Sequence, residues 1–197
     1  MNDDRPPGPI QQTKAVLSWI AFIAGVLAVS VEVFLRRSRT FGERYMGVQA
    51  ALVILLVPIY CAWWGGYDVR PLFYFLAAYL FMCLVIRIGG ILERRRGGAP
   101  QHSRYNGFPR LCRLFPRVRE VTVKSIIEPA VVFLVGVFMM PVSEPLGSYL
   151  MLASSGLLLS VNLLVGYERM RAMDMQDAAI EQRDLAESLR NGRDRWN

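Results

Sequence analysis

The chain has 197 residues, 53% of them hydrophobic and 20% charged, with a mean hydropathy of +0.29 and a formal net charge of +7. Its apolar residues arrive in blocks, which points to a membrane bundle of about four to six spans and excludes a large multidomain enzyme. All but two of the basic residues, Lys14 and Lys124, are arginine, a bias that GC-rich codon usage explains without appeal to chemistry.

Residues 1–14 contain three prolines and a glycine and read as a disordered tail. Residues 15–35 form the first expected span, with Glu32 as its one charge. Its Ser18, Ala21, Gly25, Ala28 and Glu32 are spaced three, four, three and four, so small residues share one face that another helix can approach closely. A signal-peptide reading of 15–27 is disfavoured, because Asp3 and Asp4 occupy the would-be basic region and four arginines follow almost at once.

The second span covers 46–64 and carries no charge; Pro58 is expected to kink rather than end it. The third, 71–88, takes in Arg87 near its end, which can snorkel to the headgroups. A fourth span at 121–142 is the least regular. Only eleven residues separate Pro129 from Pro141, against a lower limit of about 17 for a crossing. An upstream start near Val121 supplies the length but admits Lys124 and Glu128, four apart and able to pair; a re-entrant segment is the alternative. The fifth span, 146–167, carries Ala153, Gly156 and Ser160 on a small-residue face, with Asn162 on a neighbouring face and in need of a hydrogen-bond partner.

Between the third and fourth spans lies a basic loop at 89–120. With its flanks it holds nine arginines and Lys124 against Glu93 and Glu120, more positive charge than the whole chain has in net. Arg94, Arg95, Arg96, Arg104, Arg110, Arg113 and Arg117 are the candidate contacts for anionic lipid headgroups or an acidic cytoplasmic partner. Leu111, Leu114, Phe115 and Val118 follow helical spacing, which predicts a short basic amphipathic helix from Pro109, limited by Pro116. The stretch 102–109 reads as a shaped turn in which Asn106-Gly107 favours positive φ and aromatics dock it on the bundle. Interleaved His102, Tyr105 and Phe108 resemble a nucleic-acid surface only weakly, and nucleic acid is not an expected partner.

Twenty of the 23 basic residues fall on one side of a five-span arrangement. The positive-inside rule then puts the N-terminus outside and the C-terminus in the cytoplasm, with Trp19, Trp63, Trp64, Tyr67 and Tyr149 at the outer interface. Residues 168–197 read as a cytoplasmic helix and tail, with a stop at Asn191-Gly192 and a loose apolar stripe of Met170, Met173, Ile180, Leu185 and Leu189.

The chemistry of enzymes is hardly represented. Cys61, Cys83 and Cys112 match no zinc or CxxC spacing, His102 is the single histidine, and no phosphate loop, GxSxG elbow or HExxH helix occurs. Neither a catalytic site nor a cofactor or metal is expected. Glu32 and Glu128 are the candidate intramembrane carboxylates, read as interfacial salt bridges with Arg36 and Lys124.

The sequence therefore leads us to expect an all-α polytopic bundle in a bacterial inner membrane. Its expected role is that of a non-enzymatic structural or docking subunit of a larger membrane assembly, of the kind secretion or conjugative-transfer machinery uses. A homo-oligomer is compatible with this. A small transporter or channel component is the first alternative, and an interfacial lipid-modifying enzyme centred on His102 the second.

Overall fold

A computed structural model describes residues 9–37, 47–95, 107–114 and 117–194, and among them it is all-helical, with no β-strand. The helices are α1 Pro9–Leu35, α2 Val48–Trp63, α3 Arg70–Arg95, α4 Glu120–Met139 and α5 Glu144–Asp194, with a 3₁₀ turn at Arg110–Arg113 before α4. Among the described residues, four helices are long and apolar enough to cross a membrane: Val16–Leu35, Arg70–Glu93, Glu120–Met139 and Glu144–Arg190.

The lengths depart from expectation in an informative way. Segment 121–142, the irregular one, becomes a 20-residue helix because it does start upstream, at Glu120. Segment 46–64 yields only the 16-residue α2, bounded by Gly47 and by a turn in which Gly66 takes φ +95°. That is just below the ~17 residues a crossing needs. Pro58 sits inside α2 without ending it, as expected. α1 begins at Pro9, so residues 9–14 are helical rather than a tail; proline's fixed φ suits the first helical position. α5 continues past Asn191-Gly192 to Asp194.

Pro129 shapes α4. It has no N–H to give to the Ser125 carbonyl and its ring crowds that group. Just upstream, Val123–Ile127 widen into a π turn. In a π turn each carbonyl is bonded to the amide five residues on rather than four.

The chain divides into two units, 1–161 and 162–197. In the first, the core is built from Val29 and Val33 of α1, Val53 and Val57 of α2, Leu72 and Tyr79 of α3, Val123 and Val132 of α4, and Tyr149 and Leu157 of α5. Large apolar side chains also cover the outside, among them Leu55, Ile59, Phe81, Leu134 and Phe138. A water-soluble domain rarely exposes so continuous an apolar surface, whereas lipid tails meet it without penalty.

Glycine lets the helices approach. A Cβ on Gly156 would stand 2.6 Å from Leu27 Cβ, and one on Gly25 would meet the Gln49 side chain. The small-residue face of α1 is thus an interface within the chain: Gly25 and Ala28 are buried, Ala21 is half-buried and Ser18 exposed. On α5, Ala153 and Gly156 are buried and Ser160 is half-buried.

The two hairpin turns meet. Ser143 Oγ donates to the Asp68 carbonyl at 3.5 Å, and Tyr60 OH donates to Ser148 Oγ at 2.9 Å. Tyr149 is fully buried here between Tyr60 and Phe75, at centroid distances of 5.4 and 5.6 Å. It belongs to the core rather than to an interfacial belt, unlike Trp63 and Tyr67, which are exposed. In the second unit, every described side chain from Gly166 to Arg190 is exposed.

Candidate functional site

The chemistry of the first unit concentrates where α1 ends. Arg36, Glu32 and Glu128 are 0%, 2% and 0% exposed, so three charged side chains share one buried volume. Arg36 Nη2 lies 2.7 Å from Glu32 Oε1 and 3.2 Å from Glu128 Oε2, and Arg36 Nε donates to the same Glu128 oxygen at 3.4 Å. A guanidinium suits this position because its planar fork offers several donors to two carboxylates at once. Glu32 Oε2 and Glu128 Oε1 are also buried and accept no hydrogen bond among the described residues.

The expected pairing of Glu32 with Arg36 is present, but two details differ. Lys124 pairs with Glu120 at 2.7 Å, while Glu128 turns inward to Arg36 at the end of α1, whose fork also holds Glu32. The carboxylates also lie inside protein rather than at an exposed helix end. Glu128 is the ninth residue of α4, ~12 Å along it at 1.5 Å per residue.

The basic segment is anchored to this cluster. Arg36 forms an antiparallel bridge with Pro109, the Arg37 amide donates to the Phe108 carbonyl at 3.1 Å, and Arg110 Nε donates to the Arg36 carbonyl at 3.0 Å. The Arg37 guanidinium lies 5.4 Å from the centroid of the Phe108 ring. Gly107 at φ +85° makes the turn that brings Phe108 inward, as Asn106-Gly107 suggested. The expected amphipathic helix does not form. Among the described residues of this stretch there is only the four-residue 3₁₀ turn, and Leu114 is 71% exposed; a proline at position 116 of the sequence disfavours a continuing helix.

Of the other candidate contacts, Arg95, Arg110, Arg113 and Arg117 are exposed. The Arg94 side chain, Arg96, His102, Arg104, Tyr105, Phe115 and Pro116 lie outside the described residues. Asn162 is exposed in the second unit. No three His, Cys, Asp or Glu side chains among the described residues converge on a point where a metal could bind. The close contact of Gly136 with Gly147 and Met151 was missed. Its trace in the sequence is Gly136 in one apolar run and Gly147 at the start of the next.

Cys112 sits on the anchored 3₁₀ turn. Burial pushes its thiol up, and the nearby carboxylates Glu120 and Glu128 push in the same direction. Since the thiolate is the nucleophile, maleimide labelling of Cys112 in a Cys61→Ser, Cys83→Ser chain is expected to be slow at neutral pH and to accelerate above the ordinary thiol range. Labelling as fast as that of a small free thiol at pH 7 would show that the turn is not held as described.

No family model, curated protein or solved structure matches the chain. The class it defines is that of an all-helical chain with, among the described residues, four helices of membrane-crossing length and a buried Glu-Arg-Glu cluster that secures a basic segment.

Proposed function

We propose that the chain is a non-enzymatic integral protein of a bacterial inner membrane, and that it acts as a structural or docking subunit of a larger membrane assembly. Its proposed orientation has the N-terminus outside and the basic segment and C-terminal helix in the cytoplasm. This follows from the asymmetry of basic residues and is supported by the way the basic segment leads directly into the end of α4 opposite the paired hairpin turns. Secretion or conjugative-transfer machinery is one setting that would use such a part.

The observation that carries the docking reading is the set of exposed apolar side chains on the second unit. Met170, Met173, Met175, Ile180, Leu185 and Leu189 are each at least half exposed on a regular helix. Methionine-rich amphipathic helices seat in grooves through adaptable apolar contact. The buried cluster supports the same reading, because Arg36 engages both carboxylates as a brace between helices rather than leaving them along a polar path. Removal of 168–197 is expected to release a copurifying protein while the remaining chain stays membrane-bound and monodisperse. Retention of every copurifying protein after that deletion would count against docking through the helix.

A further inference from the structure

Between α1, α3, α4 and α5 lies a cavity of about 320 Å³, within the size range of ligand clefts. Every described residue lining it is apolar, among them Val31, Phe34, Phe75, Ala78, Val135 and Leu150. Ala78 and Val135 are exposed, so the cavity opens at the surface of the unit. All four helices around it are of membrane-crossing length, so in the membrane placement proposed above the opening faces hydrocarbon.

One end of this cavity abuts charge. Leu35 lines it and is followed directly by Arg36 and Arg37, and Val131 and Val132 line it three and four residues after Glu128. At that end the segment 107–114 is fastened through Pro109 and Arg110. Arg110, Arg113, Arg117 and Arg119 are all exposed, and the next acidic residue, Glu120, is engaged by Lys124. The juxtaposition is an apolar slot open to lipid, with a run of arginines at its charged end. A partner helix, ~10–12 Å across with its side chains, is too broad for a slot of this volume; an extended hydrocarbon chain is not.

We infer that this is a binding site for one anionic phospholipid, with an acyl chain in the cavity and the phosphate headgroup on the arginines of the 107–119 segment. The inference rests on the membrane placement proposed above and is independent of any docking partner.

The test uses the full chain, delipidated in mild detergent and offered an equal mixture of palmitoyl-oleoyl phosphatidylglycerol and phosphatidylcholine, with retained lipid counted by native mass spectrometry. The intact chain is expected to hold one phosphatidylglycerol in preference to phosphatidylcholine. Ala78→Trp, which fills the slot, is expected to lose both lipids. Arg113→Glu with Arg117→Glu, which leaves the Arg110 anchor in place, is expected to retain lipid but lose the preference, by roughly fivefold per arginine. Val135→Phe fills the same slot from α4 and gives the same reading should the tryptophan variant fail to fold. Equal uptake of the two lipids by the intact chain, retention by both slot-filling variants, or a protein held in place of lipid would each overturn the inference. Release of the chain from membranes by alkaline carbonate alone would instead contradict the membrane placement itself, which separates the two failures.

Discussion

Replacing Arg36 with alanine lowers the stability of the folded chain by about 3–5 kcal/mol, the usual cost of removing one partner from a buried ion pair. Two carboxylates, Glu32 and Glu128, lose the donor they share, and both are sealed from solvent. The effect is read as an earlier thermal transition in detergent and a lower yield of monodisperse protein. Arg36→Lys is expected to recover only part of the loss, since a point ammonium cannot reproduce a fork between two carboxylates. Replacing the whole cluster with apolar residues, Glu32→Leu, Arg36→Met and Glu128→Leu, is expected to come close to the wild-type transition, because the penalty arises from stranded charge and not from lost packing alone. If Arg36→Ala leaves the transition unmoved, the cluster is not the brace described here.

The second large effect is steric and lies in the α4–α5 hairpin. A Cβ on Gly147 would stand 2.8 Å from the Gly136 carbonyl oxygen, 2.8 Å from the Met140 nitrogen and 2.9 Å from its Cα. All three are backbone atoms, so no side chain can rotate away and the two helices must part. Gly147→Ala is therefore expected to destabilise by about 1–3 kcal/mol, in the range of overpacked cores, and Gly147→Val by more. Gly90 and Gly166 provide the contrast: a Cβ there meets nothing within 4 Å. Alanine at either is expected to be neutral or to stabilise by up to ~1 kcal/mol through helix propensity. Equal thermal transitions for Gly147→Ala and Gly90→Ala would refute the close hairpin.

The parts of this fold that local pattern encodes were legible in the sequence. Long apolar blocks became membrane-length helices, Pro58 stayed inside α2, and Gly107 took its positive φ. Glu32 and Arg36 were legible as a pair because both lie on one helical face, one turn apart. The partner of Glu128 was not, since Arg36 is 92 residues away in the chain and the local alternative, Lys124, fits a regular helix well. Lys124 is instead held by Glu120, four residues before it, and Glu128 faces the guanidinium inside the bundle, a tertiary choice that residue spacing does not reveal. Tyr149 was misplaced for a related reason. Aromatic residues at a helix end suit both an interface and a core, and only the meeting of the two hairpins, through Tyr60 and Phe75, decides between them. The 3₁₀ turn at Arg110–Arg113 shows apolar spacing overridden by backbone chemistry: Leu111 and Leu114 keep helical spacing, but proline at 116 leaves no room for the helix.

The brace and the exposed helix belong to one account. Arg36 fixes the end of α1 to α4 and secures the basic segment, while the second unit presents apolar side chains that its own unit leaves uncovered. The most direct test is affinity purification of the intact chain from native membranes in mild detergent, with mass spectrometry of the proteins that accompany it. The account predicts at least one stoichiometric partner that is lost when residues 168–197 are removed. A chain that purifies alone, or only with further copies of itself, at full membrane extraction would contradict it.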